Sequence, residues 1–175
     1  VVYCTTCDGP LFRGKRVAIV GGGSSALEAA LEMKGIAERV YLVSRADWSG
    51  ELVLQDKVSA STVEALKHHA PLEIRGDGQV RDLLVADRNG GAPRTLEVDG
   101  VFVEIGLSPS SGYALDLLET DERGEIRVDR SQDTGVRGIF AAGDVTDHPE
   151  KQVVLAAGDG ARAALAAFNY LVHQV

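Results

Sequence analysis

The sequence predicts an α/β fold with a central parallel sheet, and three observations carry that prediction. Val17-Ala18-Ile19-Val20 is an unbroken apolar run, as expected of a strand covered on both faces. The triplet Gly21-Gly22-Gly23 follows at once, and a helix-forming run opens on Ser24-Ser25. A second apolar run, Val40-Tyr41-Leu42-Val43, arrives within about thirty residues, the size of one strand–helix–strand crossover.

The glycine triplet has the G-x-G-x-x-A spacing of a dinucleotide-binding turn, carried by Gly21, Gly23 and Ala26. Gly21 permits the tight turn out of the strand, Gly23 lets the backbone approach a pyrophosphate, and Ala26 lets the helix pack closely on the strand. The N–H groups of the first helical turn would then point at the phosphates in the positive field of the helix dipole. Gly21, Gly22, Gly23, Ser24, Ser25 and Ala26 are therefore the first candidate cofactor-binding residues of a Rossmann-like domain. The plain alternative is a strand-to-helix turn without a ligand.

Composition bounds the function. The 175 residues suffice for one large domain or two small ones. A net charge of −8 and a pI of 5.0 argue against nucleic-acid binding, which needs a basic face. No apolar run approaches membrane-spanning length, so no membrane role is expected. No basic-then-apolar leader opens the chain, and a cytoplasmic location is expected. The first residue is Val1 rather than Met, as in a piece of a longer polypeptide. The only cysteines are Cys4 and Cys7, in Cys-x-x-Cys spacing, which reads as redox-active in an acidic chain of this kind. A structural zinc site needs four ligands; there is no second Cys pair and His68 and His69 are adjacent, so no metal is expected.

In chain order, Val1 to Tyr3 reads as a strand end or an arm, and Cys4 to Pro10 as a segment closed by a Gly9-Pro10 turn. The helix from Ser24 is predicted to stop at Gly35. At the end of the second strand an Asp or Glu would grip the ribose hydroxyls of NADH. Ser44-Arg45 stands there instead, which leans to the 2′-phosphate of NADPH, with NADH and a merely solvated Arg45 as alternatives. Leu52 to Ser59 is predicted helical, and Ser61 to His69 is ambiguous until Pro71 ends it. Leu72 to Arg75, Val80 to Asp87 and Thr95 to Val98 read as a β-meander punctuated by Gly76-Asp77-Gly78 and Asn89-Gly90-Gly91. Val101 to Ile105 is a further strand before Gly106. Ser108 to Gly112 marks a domain crossing, Glu125 to Asp129 and Gly138 to Ala142 read as strands, and Gln152 to Leu171 as a long helix apolar on most faces, implying burial.

Four motifs in order then acquire joint meaning: Cys4-Thr5-Thr6-Cys7-Asp8-Gly9, Gly21 to Ala26, Phe140-Ala141-Ala142-Gly143-Asp144-Val145, and Lys151-Gln152. With them the chain resembles the low-molecular-weight thioredoxin reductases and the related flavoprotein of alkyl hydroperoxide reductase. The resemblance implies a flow of electrons from NADPH through FAD to Cys4–Cys7, then to a thioredoxin-like or peroxiredoxin disulfide. It implies Cys7 as the flavin-proximal thiol, Cys4 as the thiol that attacks the partner, and Asp8 as the acid/base residue, though Asp8 also suits a polar turn. It places Asp144, after Gly143, on the ribityl chain of FAD, and Lys151, Gln152 and Val153 along the isoalloxazine edge. It makes Val63 to Lys67 a strand against local helix propensity.

The implied division is residues 1–105 as the NAD(P)H-binding domain with the dithiol, and 106–175, from Gly106, as the C-terminal segment of an FAD-binding Rossmann-like domain. The first FAD-binding glycine turn of the family, far upstream of the Cys pair, has no counterpart here, and roughly a hundred residues, half of a Rossmann-like domain, are absent. Ser24 replaces the usual Asn or Asp, Ser110 an Asn, and Glu150 an aromatic. Pro10-Leu11-Phe12 and Val53 to Lys57 lean to the peroxide-reductase relative, whereas Cys-Thr-Thr-Cys matches neither branch. A nucleotide-binding fragment without activity is the contrasting expectation, with a homodimer covering the apolar face left by the missing half.

Overall fold

The computed structural model describes residues 1–173. The chain separates into two compact units, Val1–Gly106 and the remainder from Leu107.

The first unit is organised around Arg16–Val20 (β1), which pairs in parallel with Arg39–Val43 (β2) on one edge and Gly100–Val103 (β7) on the other. Glu64–Leu66 (β3) adds to β2, giving the order β3-β2-β1-β7. Alternation along β1 explains why Val17 to Val20 is apolar throughout. Val17 and Ile19 face a core with Leu42, Phe102 and the Ala26, Leu27, Ala30 and Met33 side chains of Ser24–Lys34 (α2). Ala18 and Val20 face Tyr41, Val43, Val101 and the antiparallel meander. Both faces are covered, so neither can be polar.

The meander is formed by His69–Asp77 (β4), Gln79–Asp87 (β5) and Arg94–Glu97 (β6), in the order β4-β5-β6. Leu83, Val85, Leu96 and Val98 press on the parallel sheet. Pro71 does not end a segment as the sequence suggested; it lies inside β4, next to a register shift at Pro71/Glu73. An edge strand tolerates it because the missing N–H costs no ladder bond on the open side. The segment Glu64-Ala65-Leu66 is a strand despite its helix-forming composition, because β2 offers a parallel edge in register with Tyr41 to Val43. The strand after the meander stops at Val103, two residues before the expected Ile105.

The Cys-x-x-Cys segment forms a short helical turn. Cys4 is the N-cap of Thr5–Asp8 (α1), and Gly9-Pro10 opens a 3-10 turn, Gly9–Phe12, instead of closing the segment. Leu52–Ser59 forms α3 as expected.

The second unit differs from its sequence reading. Glu125 to Asp129 and Gly138 to Ala142 are not strands; they make isolated bridges, Ile126 with Thr120 and Thr146, and Phe140 with Asp133. A strand needs a continuous ladder, and in each of these segments a single residue, Ile126 or Phe140, makes bridges. The long helix, Val153–Val172 (α4), forms. The burial expected of it does not: Val153, Leu165, Phe168 and Leu171 are exposed, and Asp159 is its buried residue. No helix among the described residues is long and apolar enough to cross a membrane.

Candidate functional site

The neighbours of β1 lie on opposite sides, β2 and β7, and the crevice beyond their carboxyl ends is where open α/β sheets bind ligands. A cleft of about 520 Å³ lies there. Gly21, Gly22, Gly23 and Ser25 form its floor, Arg45 and Asp47 one wall, and Glu104 and Gly106 the other.

The glycines have distinct duties. A Cβ on Gly21 would collide with the Glu104 carbonyl oxygen and stand 2.8 Å from the Ala26 Cβ, so the strand-to-helix turn closes only with glycine there. A Cβ on Gly22 would press on Ser44 at 3.2 Å. A Cβ on Gly23 would meet nothing within 4 Å. Gly23 thus keeps the ligand side open, and as N-cap of α2 it brings no side-chain acceptor to the first-turn N–H groups. Those donors and the dipole of an eleven-residue helix suit an anion, and the cradle fits a dinucleotide pyrophosphate.

Ser24 and Ser44 are occupied by the fold. Ser24 Oγ accepts the Glu51 N–H at 3.1 Å, and Ser44, buried, donates its hydroxyl to the Ala46 carbonyl at 2.8 Å. Both bonds shape the loop after β2, which the Ser49 N–H ties to the Gly22 carbonyl at 2.8 Å and the Gln55 amide ties to the Gly50 carbonyl at 2.7 Å. Gly50 is needed for that closure, since a Cβ there would stand 2.6 Å from Leu27. Arg45 is exposed on the cleft wall.

Two wall residues escaped the sequence reading. Asp47 lies 3.5 Å from His68 Nε2 and 3.9 Å from Lys67 Nζ, and Lys67 stands 4.2 Å over the ring of Trp48. Glu104 has its carboxyl held above the ordinary carboxylate range, chiefly by burial and further by the charge of Glu32. Neither has a local motif; each matters through partners distant in sequence. Gly106, taken as the start of the flavin segment, lines this cleft at the end of the first unit.

In the same unit Cys4 and Cys7 form a disulfide, with their Cα atoms 5.3 Å apart. Cys4 is half-buried and its Sγ accepts the Cys7 N–H at 3.1 Å; Cys7 is exposed. Asp8, half-buried, ends α1 directly after Cys7.

In the second unit Gly143 takes a left-handed φ of 78° and opens a 3-10 turn, Gly143–Val145, that presents an exposed Asp144. The Lys151 ammonium is committed to the fold, 3.0 Å from the Glu125 carboxylate and donating to the Thr146 carbonyl. Gln152 is the N-cap of α4, whose first turn begins at an exposed Val153 and has no side-chain cap. These residues fit one wall of a flavin site: a carboxylate for hydroxyls and a helix start for negative charge.

The model of the pyridine nucleotide-disulphide oxidoreductases matches residues 1–160. A curated relative from the alkyl hydroperoxide reductase of Escherichia coli (strain K12) is 45% identical over 175 residues, spanning 98% of this chain and 34% of the relative. Its counterpart in Staphylococcus aureus (strain NCTC 8325 / PS 47) is 44% identical over 174 residues, with the same coverage of 98% and 34%. The chain thus spans about a third of the length of the curated relatives it matches. Among solved structures, the thioredoxin reductase of Streptococcus pyogenes MGAS5005 superposes with a TM-score of 0.89 at 35% identity, covering 98% of this chain and 57% of that one. The thioredoxin reductase of Giardia duodenalis gives 0.83 at 36% identity, covering 98% and 57%. With its glycine cleft and its Cys4–Cys7 disulfide in one compact unit, this chain belongs to the pyridine nucleotide-disulphide oxidoreductase family.

Proposed function

We propose that the chain is the dinucleotide-binding and dithiol portion of a flavin-dependent disulfide reductase that draws on NADPH and delivers electrons to a protein disulfide. The observation that carries the reading is the disulfide between Cys4 and Cys7 in the same unit as a cleft fitted to a dinucleotide. The identity of 45% with a component of an alkyl hydroperoxide reductase favours a peroxiredoxin as the partner, with a thioredoxin-like protein as the second reading.

The turn from Gly21 to Ala26 binds the pyrophosphate, and Arg45 reads the 2′-phosphate from the cleft wall. Gly143, Asp144, Gln152 and Val153 supply one wall for FAD. Bound FAD supplies the two-electron link between the nicotinamide and the disulfide. The Cys7 N–H, 3.1 Å from Cys4 Sγ, points a donor at the sulfur that attacks the partner. The Cys4 thiolate attacks one sulfur of the partner disulfide and expels the other. Cys7 then attacks Cys4, re-forming the intramolecular bond and releasing the second partner sulfur. The partner gains two electrons and two protons, and Asp8, next to Cys7, is placed to pass a proton to a leaving thiolate.

Trp48 is the sole tryptophan and its ring packs beside Gly22, so its fluorescence reads the cleft. Titration with NADPH should give a saturable change at lower concentration than NADH. Gly21→Ala should remove the response to both, and Arg45→Ala should weaken NADPH alone by about tenfold, the worth of one charge-assisted contact. Absence of any saturable response would overturn the dinucleotide reading. In a flavin-loaded protein that contains this chain, Cys4→Ser should abolish partner reduction while NADPH still bleaches the flavin; loss of bleaching as well would reverse the roles of the two cysteines.

A further inference from the structure

We propose that Thr5 and Glu32 are positioning residues for the Cys4–Cys7 couple, their hydrogen bond keeping the helical turn wound while the disulfide is open. The inference rests on the reading of Cys4–Cys7 as the redox pair.

The segment around the cysteines is anchored at both ends. Val2 exchanges backbone bonds of 2.9 Å with Val101 and Val103, beside β7. Phe12 meets Phe102 edge-on with ring centroids 5.1 Å apart and fills the space above Gly100. Between these anchors Gly9 packs close to Met33 of α2. Apolar contact of that kind leaves rotation and register loosely fixed. Thr5 provides the directional tie: it is buried, between the two cysteines in sequence, and its hydroxyl donates to Glu32 Oε2 at 2.8 Å. Thr6 and Cys7 beside it are exposed.

The tie matters because α1 is four residues long, far below the length at which a helix holds itself. In the oxidised chain the disulfide fixes the turn. Reduction removes that constraint and leaves the turn to two backbone bonds, from the Asp8 N–H to the Cys4 carbonyl at 3.1 Å and from the Gly9 N–H to the Thr5 carbonyl. An anchored Thr5 keeps Cys4 and Cys7 within bonding reach, which raises the effective concentration of one thiol at the other and favours reclosure. The carboxylate is also felt at the cleft: the Glu32 charge helps to hold the Glu104 carboxyl above its ordinary range.

Equilibrating the chain with dithiothreitol and its cyclic disulfide measures the effect directly. Each exchange breaks the Cys4–Cys7 bond, adds two electrons and two protons to give two thiols, and removes the same from dithiothreitol as it closes to a ring. Alkylation and mass measurement count the reduced fraction. Thr5→Val should shift the equilibrium toward the dithiol by about tenfold, equal to about 30 mV for a two-electron couple. Glu32→Ala should give the same shift from the α2 side, whereas Thr5→Ser and Glu32→Gln, which retain a donor and an acceptor, should stay within about twofold of the parent. Agreement of Thr5→Val and Glu32→Ala with the parent overturns the proposal, and so does a tenfold shift in Thr5→Ser, which would assign the effect to packing. A disulfide that dithiothreitol cannot open in the parent would overturn the redox reading itself.

Discussion

In the first unit the residues Val17 to Val20 are hydrogen-bonded along both edges and covered on both faces. In the second, the segments around Ile126 and Phe140 make isolated bridges, and the core consists of Ala114, Leu118 and Ile126 with partly buried neighbours. Helix α4 forms there with its apolar side chains exposed. The contrast separates two kinds of local structure. A helix closes its hydrogen bonds within its own segment, so α4 needs no partner to be helical. A strand does not exist without a neighbour, so the same sequence signal yields β1 in one unit and isolated bridges in the other.

The contrast can be broken at its centre. Ile19→Ala should cost about 3–4 kcal/mol, because the site is walled by β-strands and α2 and cannot collapse. Denaturant unfolding followed by Trp48 fluorescence measures it. Ile126→Ala, in the smaller cluster, should cost about 2 kcal/mol in the far-UV signal. Equal losses would show the second core to be as tightly packed as the first. On α4, Phe168→Glu should change stability by less than about 0.5 kcal/mol, since the residue is 63% exposed. A larger loss would mean that the apolar face is covered in solution.

The smallest effect concerns pH. The Glu104 carboxyl is held above its ordinary range, so the folded chain keeps that proton after the unfolded chain has lost it. Its stabilising contribution is full below the unfolded glutamate value of about 4.3 and is lost as the pH rises through the higher folded value. Glu104→Gln should therefore flatten the fall in stability across that window. A slope unchanged between parent and variant would remove Glu104 as its source.

Legibility in the sequence followed the range of the interactions. The apolar run of β1, the glycine turn and the Gly35 end of α2 were readable because each depends on residues a few positions apart. Glu64 to Leu66 was legible as a strand through the family resemblance alone, because its own propensity favours helix and the β2 edge is what makes it a strand. The Cys-x-x-Cys spacing announced a redox pair but not the helical turn capped by Cys4.

The residues themselves determined a parallel α/β core, a glycine-rich strand-to-helix turn and a Cys-x-x-Cys pair, because spacing, glycine and apolar period act locally. Only the tertiary structure decided that Ser24 and Ser44 shape a loop, that Lys151 is spent on Glu125, and that Asp47 and Glu104 form the cleft walls. It alone joined Thr5 to Glu32, twenty-seven residues away. Such pairs form when packing brings distant polar groups within reach, and a buried member such as Thr5 then depends on the group that meets it.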